Sequence, residues 1–311
     1  MKFHKILRIV IPSVLLLATA VYLAKLLPLI DLSLFPLLSY KHWLSLVSIF
    51  ILFQLLNLYH FKLIINSVST VDSLFKLFQV LFASLSFNYV SPFKLGTPVR
   101  LFLFKEILGI PYTSGVTTVI ATTGLDVVVM LTLVISISAW IFISPLAGLA
   151  CGGAVLICMV GLASIYRKLY SAGTEKSSWL GRFFSELADL SPLIIFYATL
   201  ISAAKSLLHG LAGWIVLTGL GAAASLAEFI CIYFASHLAG LLSLIPMGIG
   251  VKDASVIELL RRAGASASVT IGFVAIDRLV WSLLPLLVGL VAGWHLGVNA
   301  LLKSANKEIT V

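Results

Sequence analysis

The chain has 311 residues, of which 60% are hydrophobic and only 11% charged, with a mean hydropathy of +1.12. Such a composition excludes an ordinary soluble domain, and several windows exceed the ~18 apolar residues that a membrane-spanning helix requires. The net charge of +9 does not indicate nucleic acid, because the basic residues fall in short clusters between apolar runs, as membrane orientation and anionic head groups require.

In chain order, a basic cluster (Lys2, Lys5, Arg8) precedes an apolar run that predicts a first crossing at 6–27. Ala18-Thr19-Ala20 resembles a leader cleavage site, but the apolar run continues past it through Ala24, so an uncleaved helix is expected. Further crossings are predicted at 43–64, 114–143, 146–166, 192–217 and 267–297, six in all. Two other apolar segments, 74–91 and 222–245, run into a short sequence that occurs twice. The first copy is Pro92-Phe93-Lys94-Leu95-Gly96, followed by the charged stretch Arg100 to Glu106 and Gly109. The second is Pro246-Met247-Gly248-Ile249-Gly250, followed by Lys252-Asp253, Glu258, Arg261-Arg262 and Gly264. Paired broken segments in two halves of a membrane chain point to a transport site.

Charge bias decides how these two segments are placed. If both are re-entrant hairpins, the N-terminal cluster, the basic loop (Arg167, Lys168, Lys176, Arg182) and the tail (Lys303, Lys307) all face the cytoplasm. Three crossings then separate the copies, which puts the first tip on the cytoplasmic face and the second outside. That is an inverted-topology repeat, with repeat 1 at about 43–143 and repeat 2 at about 192–297 of a single polytopic domain, 1–311. The expected fold is an all-α integral membrane protein of about six transmembrane helices plus two re-entrant hairpins. It would lie in the cytoplasmic (inner) membrane with both termini cytoplasmic. Gly148, Gly152, Gly153 and Gly161, Gly210 to Gly213, and Gly289 to Gly293 suit tight helix packing. The segment 167–190 is read as a loop, too short for a soluble catalytic domain.

Charges inside apolar spans are costly and should face the bundle interior. Asp126 lies about twelve residues into its span, and Asp277 and Arg278 at a similar depth in the last one. Adjacent helix positions do not face each other, so Arg278 needs a partner other than Asp277. Asp126 and Glu228 are the candidates, and a structural ion pair is the alternative to a functional role. Lys205 and His209, four apart, should share a helix face. His209 and His237 read as satisfied bundle residues or as a proton relay. In the hairpins, Asn88, Lys94, Arg100, Lys252 and Asp253 are the candidates for binding an anionic head group, alongside Arg278, Asp126, Asp277 and Lys205. Pro92, Gly96, Pro246, Gly248 and Gly250 would shape the turns. Lys105, Arg261 and Arg262 read as interfacial anchors. Cys151, Cys158 and Cys231 read as small core residues with no metal or disulfide spacing. No nucleophile, zinc or phosphate-loop motif is present, so neither an enzyme nor a cofactor is expected.

The run Asn88 to Arg100 with Gly109, and the run Ile245 to Ala254 with Gly264 and Arg278, together resemble the two signatures of the lysylphosphatidylglycerol synthase transmembrane-region family, also called flippase-like domain proteins. The resemblance covers roughly residues 5–300. It implies a protein that handles or translocates membrane lipid, here as a stand-alone member without the aminoacyltransferase domain. Two positions depart from the family pattern. Thr122-Thr123 stand where Glu-Arg is usual, leaving Asp126 alone, and Lys252-Asp253 replace Arg-Glu. Because the second half keeps Asp277-Arg278, that half is expected to hold the substrate's charge partner.

The leading expectation is a flippase-like transporter of an anionic phospholipid, glycolipid or isoprenoid-phosphate lipid, working by alternating access. The alternatives are a membrane partner of a lipid-modifying enzyme, or a membrane-embedded transferase. The expected partners are anionic membrane lipids, a second copy of the chain, or a lipid-modifying enzyme.

Overall fold

A computed structural model describes residues 38–90, 95–170, 178–243, 248 and 250–309, with side chains placed except at 89–90, 169–170 and 298–309. The expected crossing at 6–27, and Pro92, Lys94 and Pro246, lie outside the described residues. Every regular element described is helical: α1 (Tyr40–Val68), α2 (Leu74–Val90), α3 (Gly96–Leu108), α4 (Tyr112–Phe142), α5 (Pro145–Tyr170), α6 (Trp179–Asp189), α7 (Pro192–Gly219), α8 (Leu226–Leu242), α9 (Val251–Arg262), α10 (Ala267–Arg278), and α11 (Leu284–Ile309). A π-helical turn, Leu279–Leu283, joins α10 to α11.

Among the described residues, five helices are long and apolar enough to cross a bilayer: 40–68, 112–142, 145–168, 192–219 and 267–297. Their outward faces are apolar, with Leu131, Ile135, Leu149, Ile157, Leu162 and Val291 all exposed. Water would penalise such a surface and lipid does not. The chain is an all-α integral membrane protein. Local chemistry sets the helix starts: Ser191, Ser225 and Ser266 each accept a backbone N–H three residues on, with Pro192 pre-set at the first helical position. Pro285 has no N–H to complete the ladder, and the π-turn sits directly before it.

The two segments leading into the repeated motif are different. At 17 residues each, α2 and α8 are shorter than the roughly 20 needed to span. Each packs against the charged helix that follows it, α2 on α3 and α8 on α9. The helix packing is also exchanged between halves: α2 packs on α11, α8 packs on α4, and α1 packs on α7. The main core gathers Phe229, Tyr233 and Phe234 of α8 with Phe273 and Ile276 of α10 and with Phe50 and Leu217.

Three expectations need correction. The segment 167–190 is not simply a loop: it contains α6, whose Leu180, Phe183, Phe184 and Leu187 recur at helical spacing. Glu186 of α6 accepts hydrogen bonds from Ser114 and Thr117, both 2.9 Å, in the first turns of α4, where a helix favours negative charge. Cys158 is exposed on the outer face of α5 rather than in the core, because none of the described residues packs over it. Among the glycines, Gly148, Gly210 and Gly289 sit where a Cβ would collide with a neighbouring helix, whereas Gly153 and Gly161 face open space.

Candidate functional site

The charged residues of the second half form one compact cluster. Gly248 (φ 62°) lies with its Cα against Gly240, where a Cβ would come within 2.8 Å of backbone, so α8 and the start of α9 meet closely. Gly250 (φ 86°) then starts α9, and its N–H donates to Asp253 Oδ2 at 3.1 Å. That start places Lys252 and Asp253 beside α10. Lys252 Nζ donates to Asp277 Oδ2 at 2.8 Å. Arg278 donates through Nε and Nη2 to Asp253, at 3.0, 2.8 and 2.9 Å, in a forked pair. Tyr233 donates to Asp277 Oδ1 at 2.6 Å, and its oxygen lies 2.7 Å from His209 Nε2. Lys252 also sits 5.0 Å from the centre of the Tyr233 ring. Lys252, Asp277 and Arg278 are buried. The cluster holds two cations and two carboxylates and is neutral overall.

A second cluster joins the spans near mid-depth. Lys205 of α7 donates to Asp126 Oδ2 of α4 at 3.0 Å and to Asn57 Oδ1 of α1 at 3.2 Å, and lies 3.1 Å from His60 Nδ1. Ser202 donates to Asp126 Oδ1 at 2.5 Å. This group, too, is internally neutral.

The first hairpin is arranged differently. Gly96 is buried against the Asn88 side chain and the Ser84 carbonyl, leaving no room for a Cβ. Arg100 donates from Nε to Ser84 Oγ at 3.0 Å, and its guanidinium lies 5.1 Å from the centre of the Phe61 ring. Ser84 spends its own hydrogen on the Leu81 carbonyl, so it accepts from Arg100. Among the described residues no carboxylate pairs with Arg100, and its two terminal amino groups have no hydrogen-bond partner. Asn88 Oδ1 is likewise buried without a partner there.

These geometries revise several expectations. Arg278 pairs with Asp253, not with Asp126 or Glu228: Asp126 is taken by Lys205, and Glu228 sits exposed in the first turn of α8. Lys205 and His209 lie one turn apart yet serve different clusters, because α7 passes between α1 and α8. Thr122, at the position where the family pattern has a charge, satisfies its hydroxyl on the Thr118 and Val119 carbonyls. Lys105 and Arg261 are exposed, and exposed Arg262 pairs with Glu258 at 2.8 Å. Tyr233, His60 and Asn57 were not singled out from the sequence. Asn57 and His60, polar and three apart within an apolar span, carried a readable signal, whereas Tyr233 resembled any core aromatic. One outward groove of about 430 Å³ lies between α4, α5 and α8, lined by Trp140, Leu149 and Ile230, and none of the charged residues reaches it.

A family model described as the lysylphosphatidylglycerol synthase TM region matches residues 6–289. The chain belongs to that family. It is also similar to a UPF0104 membrane protein of Methanothermobacter thermautotrophicus, 25% identical over 273 residues, covering 76% of this chain and 78% of that protein. No solved structure matches. The family places the chain among multi-pass membrane proteins with a lipid-related role.

Proposed function

We propose that the protein is a flippase-like transporter that moves an anionic membrane lipid by alternating access between its two halves, with both hairpins re-entrant and entering from opposite faces. The observation that carries this reading is Arg100. Lys205, Lys252 and Arg278 are each engaged by a carboxylate, while Arg100 offers a guanidinium fork with no acid partner among the described residues. Such a fork suits the paired oxygens of a phosphate head group. Lys94, six residues earlier in the sequence, adds positive charge to the same motif. The exchanged packing of α2 on α11 and α8 on α4 supports two related halves that can rock against each other. The apolar outer grooves suit acyl or prenyl chains that stay in lipid. The carboxylates in the interior are already held by cations or hydroxyls, which favours transport over acid–base catalysis. In this reading the termini face the cytoplasm, across the inner membrane.

The deciding experiment reconstitutes the protein in vesicles and follows the exposure of labelled phosphatidylglycerol, phosphatidylserine and a polyprenyl phosphate on both leaflets. Movement above protein-free vesicles for at least one of them is expected. Rates equal to protein-free vesicles for all anionic classes, together with co-purification of a stoichiometric lipid-modifying enzyme, would replace transport with the partner reading. Labelling of single cysteines at residues 97 and 255 from either side tests the inverted placement, and labelling of both from one side refutes it.

A further inference from the structure

Head-group capture by Arg100 gives no task to the most buried phenol among the described residues. Tyr233 has no solvent exposure and stands between Asp277 Oδ1 (2.6 Å) and His209 Nε2 (2.7 Å). A phenol has one hydrogen, so both contacts can be hydrogen bonds in only two ways with neutral partners on the histidine side. In the first, Tyr233 donates to the Asp277 carboxylate and His209 donates its Nε2–H to the Tyr233 oxygen. In the second, a protonated Asp277 donates to Tyr233, and Tyr233 donates to His209 Nε2. The second arrangement holds one proton more than the first, so a proton added at His209 Nδ1 converts the first into the second as protons shift along a single line of short bonds.

Each end of that line is suited to its part. The inner end, Asp277, is 4% exposed and uses its other oxygen to hold Lys252 at 2.8 Å. The outer end, His209, is partly exposed, as is His237, whose ring centre lies 5.0 Å away. The centre of the His209 ring also lies 4.1 Å from that of Trp281 and 5.6 Å from that of Phe53, so the imidazole is held among aromatic rings.

We infer that His209, Tyr233 and Asp277 form a proton-binding site, and that loading it releases Lys252 from Asp277 to take up an anion. A proton from water adds to Nδ1 of neutral His209. The Nε2 proton passes to the Tyr233 oxygen while the phenolic proton passes to Asp277 Oδ1. His209 is left neutral with its proton on Nδ1, and one proton has been bound, on the carboxyl group. Every ionisable group facing this line enters the balance: His209 from α7, Tyr233 and His237 from α8, Lys252 and Asp253 from α9, and Asp277 and Arg278 from α10. Before loading, Lys252 and Arg278 balance Asp253 and Asp277. After loading, Arg278 is still held by Asp253, so the extra positive charge falls on Lys252. A phosphate-bearing anion restores neutrality, and anion binding therefore strengthens as pH falls. The identity of that anion as a lipid head group rests on the transport reading above, whereas the proton site does not.

Two measurements on the purified full chain in neutral detergent test this. The first uses no lipid: infrared difference spectra between about pH 8 and about pH 5 should show a protonated-carboxyl band in wild type that is absent in Asp277→Asn and displaced in Tyr233→Phe, which keeps the ring. A wild type without the band, or an unchanged band in Asp277→Asn, overturns the proton site. The second adds phosphatidylglycerol in weak buffer and reads an indicator dye: about one proton should be taken up per lipid bound at Lys252, an uptake that persists in Arg100→Gln, and none with phosphatidylcholine. Asp277→Asn should bind phosphatidylglycerol without uptake. Binding by wild type with no uptake overturns the coupling. The infrared band without any phosphatidylglycerol binding upholds the proton site and overturns the release of Lys252 to a lipid. Should a variant fail to fold, the wild-type band and the wild-type uptake still decide.

Discussion

The two helical hairpins carry similar short proline-glycine sequences and end up electrostatically opposite. In the second, Lys252 and Arg278 are interlaced with Asp277 and Asp253, so every charge inside the turn is answered by the protein itself. In the first, Arg100 rests on a serine hydroxyl and a phenyl face with no acid partner among the described residues. The difference separates two uses of the same residue types. A neutralised cluster fixes geometry and repels no partner, but it binds an anion only if a proton or a conformational change first breaks a pair. An unneutralised guanidinium is ready to bind an anion from outside the chain.

Breaking the second cluster should give the largest effect on stability. Arg278→Ala leaves Asp253 half-buried without its partner, and removing one member of a buried pair typically costs about 3–5 kcal/mol. A melting curve in detergent should show the loss, and adding Asp253→Ala should recover part of it, because the orphaned charge is then gone. A double variant no more stable than Arg278→Ala would mean that the pair is not a closed unit. Lys205→Met comes next, at roughly 2 kcal/mol, less than the full buried-pair cost because Asp126 keeps 28% of its side chain exposed. Gly240→Ala should cost about 1–3 kcal/mol by overpacking, since its Cβ would come within 2.9 Å of Lys252 Cβ and press on the helix start that positions the cluster. The smallest effect belongs to the rim. Glu258 and Arg262 form an exposed pair four residues apart, and Glu258→Gln should leave the melting temperature unchanged within error.

Much of the scaffold could be read directly, because a bilayer imposes one simple rule on composition. The span expected at 192–217 is α7 at Pro192–Gly219, and that expected at 114–143 is α4 at Tyr112–Phe142. The serines that begin α7, α8 and α10 follow from local chemistry alone. The amphipathic α6 was hidden because a short helix with one polar face has low mean hydropathy, and its signal lies only in the spacing of Leu180, Phe183 and Leu187. For the site, the sequence marked the costly residues one by one. It could not pair them, since pairing depends on which helices are neighbours. Arg278 reaches Asp253 because α9 folds back beside α10, and no spacing rule links positions 25 apart across a turn. The same limit explains why the sequence did not reveal that the charges of the second half, which keeps more of the charged pattern, are paired with one another.

The contrast between the hairpins is tested most directly by one comparison in reconstituted vesicles: phosphatidylglycerol translocation by Arg100→Gln against wild type, with the exposed Arg261→Gln as control. Losing a charge-assisted fork at a head-group site costs roughly 1.5–3 kcal/mol. Arg100→Gln should therefore move phosphatidylglycerol at least about ten-fold more slowly while melting at the wild-type temperature, and Arg261→Gln should match wild type. Wild-type translocation by Arg100→Gln would contradict the assignment of the open, anion-receiving site to the first hairpin.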